Sequence, residues 1–305
     1  CGSTSSIEKN LKSALCPYCS NALIIEDAHE EHFLKPKSLL PFKLDKNEAL
    51  NNFSKWIKKL WFAPNALKKA ILDTDHFKGV YLPFWTYDSD TFTKYTGQRG
   101  EYYYVNESYT TTENGKTVTK TRRVRKTRWY FTSGRVSKFF DDVLVGASES
   151  MPRKYIDKLE PWDLENLIPF DERFLSGYIT EKYQTNLETG FGIAKDYMAP
   201  EIDRLIRRDI GGDEQRILSK NTKYSEITFK HLLLPAYISA FRFKEKLFRF
   251  VVNARTGEVQ GERPWSTWKI AIAVVFGLIA IGIIYLFASG NSELVMQWLR
   301  EFGNT

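Results

Sequence analysis

The chain has 305 residues, of which 43% are apolar and 15% aromatic, and it carries a formal net charge of +7 at pH 7. This composition excludes an intrinsically disordered chain and favours a strand-rich body with one large core or two smaller ones. The positive charge suits a surface that meets nucleic acid, anionic lipid or an acidic partner, and it does not choose among them.

The chain's three cysteines lie at its start: Cys1, Cys16 and Cys19, the last two within a CPYC motif. Two thiols at this spacing suit a tetrahedral zinc ion, and Cys1 fits the second cysteine of another knuckle whose first member lies upstream. We therefore predict a zinc ribbon over residues 1–25, with its first knuckle truncated and structural Zn²⁺ held by all three cysteines. Redox-active thiols and a lipidated Cys1 are the alternatives.

Residues 26–44 are charged and contain two prolines, which is typical of a linker. Asp45 and Glu48 then form the spacing of a capping box, which predicts a helix to about Phe62. A second helix is predicted from Ala66 to Leu72. The following residues favour strands, so the body at 45–264 is predicted to be an antiparallel β-rich α+β unit.

A long hairpin is predicted around Asn114-Gly115, because a type I′ turn needs positive φ at both of its central positions. That turn fixes the register, so that the numbers of opposed residues sum to 229. The second strand carries a dense run of cations, which we treat as a candidate binding patch for nucleic acid. Most of them have a carboxylate or a ring opposite, and Arg123 alone is predicted to lack such a partner. The patch residues are Lys116, Lys120, Arg122, Arg123, Arg125, Lys126 and Arg128.

A helical insert is predicted at about 161–218, followed by further strands. No set of residues in the sequence has the spacing of a catalytic site, so we do not expect an enzyme. Four aspartates could gather around a divalent cation, although caps and turns explain them more simply. They are Asp141, Asp142, Asp209 and Asp213.

The nineteen residues from Ile270 to Ala288 carry no charge, which predicts a transmembrane helix at 265–289. Arg255, Arg263 and Lys269 precede this segment, so the N-terminal part is predicted to be cytoplasmic and the protein to be a single-pass protein of the inner membrane. Residues 290–305 are then expected to form a short external amphipathic tail.

Ordered segments along most of the chain resemble one bacterial family, the membrane-anchored TFIIB-type zinc-ribbon proteins, often labelled primosomal protein N′ or PriA-like helicase. The resemblance implies zinc bound by the cysteines. It also implies a recruitment role beside SPFH (flotillin-like) and phage-shock-type proteins. No helicase motif supports the label. The segments are LPFWTYD (82–88), FFDDVLVGAS (139–148), EPWDLENLIPFD (160–171), RDIGGDEQRI (208–217), TFKHLLLP (228–235) and VNARTGEVQGERP (252–264).

Three functions follow as hypotheses. The first is a non-enzymatic adaptor or scaffold that is anchored in the membrane and recruits a protein partner, in a membrane-stress response. The second is a membrane-tethered nucleic-acid-binding protein that uses the cations at 116–128. The third is thiol redox chemistry by Cys16 and Cys19.

Overall fold

The structure is a computed structural model that describes residues 34–64, 77–113, 115–243, 246–263 and 265–288, together with three short strands nearer the N-terminus. Those strands are β1 (Ser5–Ser6), β2 (Ser13–Leu15) and β3 (Ala22–Ile24). β2 and β3 pair antiparallel on either side of the CPYC motif.

Three very long strands dominate the molecule: β5 (Lys78–Glu113), β6 (Lys116–Gly146) and β9 (Glu214–Phe243). β5 lies between the other two and pairs antiparallel with both. The sequence predicts shorter strands in these regions, separated by breaks, at 80–87, 100–109, 117–131, 136–146, 223–229 and 232–243. The breaks are absent because alternating side chains continue through them and keep one face of the sheet buried from Tyr87 to Gly97.

Shorter strands complete the nine-stranded sheet, whose main path runs β1–β8–β5–β9–β10–β11. β4 (Ser38–Leu39) pairs with β9 and with β7 (Ile168–Pro169). β8 (Ile179–Glu181) runs parallel to the start of β5, while β10 (Lys246–Asn253) and β11 (Val259–Gly261) extend the sheet beyond β9.

The helices are α1 (Lys46–Lys59), α2 (Arg153–Ile156), α3 (Leu187–Ile210) and α4 (Thr267–Ala288). α3 covers the buried face of β5 and β6 with a stripe of side chains one turn apart, and the stripe consists of Ala194, Met198, Ile202, Ile206 and Ile210. The predicted insert at 161–218 is therefore corrected. Its first part is made of short 3₁₀ turns, and its last residues already belong to β9.

The start of the body also differs from the predicted linker at 26–44. Leu39 and Leu40 are fully buried, and β4 hydrogen-bonds into the sheet, so the described part of this segment belongs to the core. α1 begins as predicted, with Asp45 and Glu48 forming a capping box. The predicted helix at 66–72 lies outside the described residues.

α4 begins against the loop after α1, where Lys269 Nζ donates to the carbonyl of Ala63 at 2.8 Å. Its side chains are mostly exposed and apolar. Across the described residues, however, no helix combines the length and the apolar character that crossing a membrane requires. The predicted transmembrane helix at 265–289 and the single-pass inner-membrane location are wrong on this finding, and the predicted tail at 290–305 lies outside the described residues.

Candidate functional site

The predicted zinc ligands Cys1, Cys16 and Cys19 all lie outside the residues that the structure describes. The described part of the chain contains no cysteine arrangement that could bind zinc. The fold prediction is corrected on this point too, because the residues that the structure describes within 1–25 form β1 and the β2–β3 pair and show no zinc ribbon.

Within the described residues, the one group of side chains close enough to share a metal ion consists of Asp88, Asp141 and Asp142. It lies at a β-bulge, where the register of β5 shifts against both neighbouring strands and Asp142 takes a positive φ of 47°. Lys230 Nζ lies 2.9 Å from Asp142 Oδ1 and 3.9 Å from Asp88 Oδ2. The Lys230 ammonium group therefore balances part of the negative charge of these carboxylates.

Hydrogen bonds complete this ion-pair network. Asp88 accepts from Thr228 Oγ1 at 2.7 Å and from the Asp142 amide at 2.8 Å. Burial alone would raise the pKa of Asp88, but these bonds and the charge of Lys230 outweigh it and lower the pKa. The network joins β5, β6 and β9 at the bulge.

The other two predicted aspartates are elsewhere. Asp209 accepts a hydrogen bond from Tyr95 Oη at 2.6 Å, and Asp213 accepts one from the Tyr102 amide at 2.7 Å. The four aspartates thus do not form one cation site. Sequence reasoning missed Asp88 as a neighbour of Asp141 and Asp142, although the register sum of 229, extended to this point, would have placed Asp88 opposite Asp141.

The cationic patch lies on a two-stranded ribbon formed by residues 101–113 and 116–128. The predicted register is confirmed, since every pair from Glu101–Arg128 to Glu113–Lys116 sums to 229. β9 begins only at Glu214, opposite Gly100, so the ribbon extends beyond the three-stranded sheet. At roughly 3.4 Å per residue it is about 44 Å long.

One face of the ribbon, which we call the paired face, holds five of the seven patch cations together with the glutamates. Lys126 Nζ lies 2.8 Å from Glu107 Oε1, and Arg122 lies 3.7 Å from the other carboxylate oxygen. The hydrogen bond from Lys126 lowers the pKa of Glu107, and Glu107 in turn raises the pKa of Lys126. The cations of this face are Lys116, Lys120, Arg122, Lys126 and Arg128.

The opposite face, which we call the arginine face, carries Arg123 and Arg125 and no carboxylate within the ribbon. Arg125 lies 4.2 Å from the centroid of the Tyr102 ring, and Arg123 lies 4.2 Å from that of Tyr104. Arg123 lies opposite Asn106, so it has neither a carboxylate nor a ring directly opposite, as predicted, and the ring that it contacts lies on the diagonal. The other side chains of this face are short and polar: Asn106, Ser108, Thr110, Thr112, Thr117, Thr119, Thr121 and Thr127.

The arginine face continues without a break onto the uncovered side of β6, β5 and β9, opposite α3; we call this continuation the open sheet face. Lys94 lies directly opposite Arg135 there, and both are exposed. Like charges in directly opposed positions destabilise a sheet. The register sum of 229 would also have predicted this pair if it had been extended below residue 101.

Aromatic rings stand between these cations. Phe131, Phe139 and Phe92 of the open sheet face are 82%, 55% and 37% exposed. Arg216 lies 3.8 Å from the Trp129 ring centroid at the junction with the ribbon.

On the arginine face and the open sheet face together, cations outnumber carboxylates. Register places six cations on them, and none of the six forms an ion pair with a residue that the structure describes. The carboxylates placed there are Asp90 and Glu214, and Glu214 already accepts a hydrogen bond from Thr127. The cations are Lys94, Arg123, Arg125, Arg135, Arg216 and Lys223.

The chain is similar to one curated protein, the uncharacterized protein YdjG of Bacillus subtilis (strain 168). The two are 28% identical over 255 residues, which cover 82% of this chain and 70% of the relative. No protein-family model matches the chain, and no solved structure gives a significant match. None of these comparisons bears on the resemblance to zinc-ribbon proteins, which stays a prediction.

Proposed function

We propose that the chain is a nucleic-acid-binding protein and that the arginine face of the ribbon provides its binding surface. The observation that carries the proposal is the separation of charge between the two faces. The glutamates lie on the paired face, while Arg123 and Arg125 stand among tyrosine rings and hydroxyl groups. Guanidinium groups bind phosphate, and their accompanying rings and hydroxyls suit sugars and bases.

The geometry of the two arginines supports this role. The tyrosine rings that they contact hold the two guanidinium groups in place through cation–π contacts. These contacts leave the N–H groups at the edge of each guanidinium free to donate to a ligand. A guanidinium that is stacked on a tyrosine keeps its full charge for a phosphate, whereas Lys126 on the other face is neutralised by Glu107 at 2.8 Å. Arg123 and Arg125 therefore keep a charge that no described carboxylate neutralises.

The two faces provide a matched pair of variants for a test. Fluorescence anisotropy with a labelled 20-nucleotide oligonucleotide at about 50 mM salt should show binding by the parent protein. The double variant Arg123→Gln/Arg125→Gln should bind about tenfold or more weakly, since each phosphate contact contributes strongly at low salt.

The control is Arg122→Gln/Lys126→Gln, which removes the same formal charge from the paired face. Its affinity should fall by no more than about threefold, because both cations lie on the face opposite the proposed binding surface and are already paired with Glu107. Equal losses in both double variants, or no binding by the parent protein, would contradict the proposal.

A protein adaptor is the second candidate. The observation that favours it is the outer edge of β6, because β6 pairs with β5 alone among the described strands, and an open edge can accept a strand from a partner. Affinity purification after nuclease treatment tests this role. A stoichiometric protein that is lost when the ribbon is removed supports it, and recovery of none counts against it.

A further inference from the structure

We infer that the open sheet face binds the bases of single-stranded nucleic acid, so that the ligand runs from the ribbon down onto the body. This inference rests on the proposed function and names the ligand's strandedness and the residues that contact its bases. It starts from two features of the open sheet face that the fold itself does not explain: the exposed phenyl rings and the opposed like charges.

The phenyl rings are the first feature. Phe131 and Phe139 lie on the same face of β6 and eight positions apart, or roughly 26 Å. Phe92 lies opposite Ser137 and therefore diagonally next to Phe139. A phenyl ring offers nothing to a phosphate, whereas every unpaired base has a flat face that can stack on it.

The like charges are the second feature. Lys94 and Arg135 oppose each other between the two phenyl positions, and Lys223 lies beside Phe92 on the other neighbouring strand. Neither cation of the opposed pair forms an ion pair with a described residue, so their repulsion is not relieved within the described part of the protein. A phosphate between them would relieve it.

The order of these groups along the sheet matches a single strand. Rings stand at both ends of the stretch, at Phe131 with Trp129 and at Phe139 with Phe92, and cations and short polar side chains occupy its middle. Proteins that bind single strands without sequence preference use this alternation of stacking rings and phosphate-binding cations. A duplex hides its base faces and could use only the cations.

The test compares three probes in fluorescence anisotropy: labelled (dT)20, a 20-base-pair duplex, and unlabelled polyphosphate as competitor. The parent protein should bind (dT)20 more tightly than the duplex. The double variant Phe131→Ala/Phe139→Ala should bind (dT)20 at least tenfold more weakly, because two stacking contacts are lost. Its affinity for polyphosphate should stay within about twofold, because no cation is removed.

Two controls separate binding from folding. Tyr130→Ala removes an exposed ring from the opposite side of the same strand and should leave (dT)20 binding unchanged. Lys94→Gln removes one of the opposed charges, and it should weaken binding while leaving the thermal unfolding midpoint unchanged or higher. A merely structural role for Lys94 would lower that midpoint instead.

The outcomes distinguish the inference from the proposed function. If the Arg123/Arg125 variant loses binding while the Phe131/Phe139 variant binds (dT)20 like the parent, the inference fails and the proposed function stands. Equal affinity for duplex and single strand, or competition by polyphosphate as effective as that by unlabelled (dT)20, also overturns the inference. If neither variant affects binding of any probe, both fail.

Discussion

His231 has an environment unlike that of an ordinary surface histidine. It is 7% exposed, it packs against the rings of Trp85 and Tyr183, and its Nδ1–H donates to the carbonyl of Leu34 at 2.8 Å. Its other ring nitrogen, Nε2, is buried and has no hydrogen-bond partner among the described residues. A proton on Nε2 would therefore place an uncompensated charge in the core.

This environment predicts a dependence of stability on pH. Burial lowers the pKa of His231, and the carbonyls of Leu34 and Lys35 only partly oppose that effect. The unfolded chain then binds more protons than the folded chain below the ordinary histidine pKa of about 6.5. The His231 contribution to the free energy of unfolding should therefore decline as the pH falls below about 6.5, and level off below the lowered pKa.

Urea unfolding of the parent protein and of His231→Gln at pH 7.5 and pH 5.5 measures this contribution. The glutamine keeps a donor for Leu34 and cannot titrate, so the variant should lose less stability on acidification than the parent. The same loss in both proteins would show that other groups cause the acid sensitivity.

Several residue-scale features could be predicted from the sequence, and others could not. The capping box of Asp45 and Glu48 is local, and it forms as predicted. The partner of Arg255 could not be found this way, since Asp163 lies 92 positions earlier in the chain; the two side chains form a bidentate ion pair with Arg255 only 11% exposed. That pairing depends on the tertiary fold, which a local pattern does not contain.

At the scale of elements, the ribbon is separable from the body. No described side chain between 101 and 112 or between 115 and 128 is buried, so the ribbon contributes no residue to a core cluster. Its strands continue those of the body, and its stability depends on cross-strand pairs rather than on packing against another element.

This separability predicts the effect of shortening the ribbon. A chain in which Tyr102 is joined to Thr127 by Asn-Gly should fold, with a free energy of unfolding within about 1 kcal/mol of the parent's and a thermal midpoint within about 2–4 °C. It should bind oligonucleotides more weakly, because Arg123 and Arg125 are gone. Circular dichroism melting and anisotropy measure the two quantities, and a loss of cooperative unfolding would show that the ribbon belongs to the folding unit.

The elements also show what sequence patterns contain and what they lack. The Asn114-Gly115 turn and the register that it imposes were predictable, because turn chemistry and alternation are local. The continuity of β5 and β9 could not be predicted. The middle of each strand is polar and resembles a loop in the sequence, and only the fold shows that α3 covers its other face. The segment around Leu39 could not be recognised as part of the core either, because it is charged and Leu39 packs against Tyr81 and Leu233, which are distant in the sequence.

At the scale of the whole molecule, the net charge of +7 is distributed unevenly. The arginine face and the open sheet face together carry six cations that form no ion pair with a described residue, against two carboxylates. Binding of a single strand should therefore weaken steeply with salt. With about 0.7 counterions released per neutralised phosphate, contact by all six cations predicts a slope near −4 in a plot of log K against log salt concentration.

The slope can be tested with the same two double variants. Arg123→Gln/Arg125→Gln should reduce its magnitude by about 1.4, whereas Arg122→Gln/Lys126→Gln should leave it nearly unchanged. Anisotropy titrations between 50 and about 300 mM salt give these slopes. A parent slope close to zero would mean that phosphates do not contribute to binding.

The pairing of β5 with β9 has a kinetic consequence. Lys78 lies opposite Ile238, so this ladder joins residues 160 positions apart, whereas β5 and β6 are joined by a tight turn. Closing the larger loop carries a higher entropic cost, and non-local pairing of this kind slows folding. The hairpin should therefore zip first from its tip, and β9 should dock late. Until it does, the inner edge of β5 stays exposed to other chains, which makes the refolding yield sensitive to protein concentration.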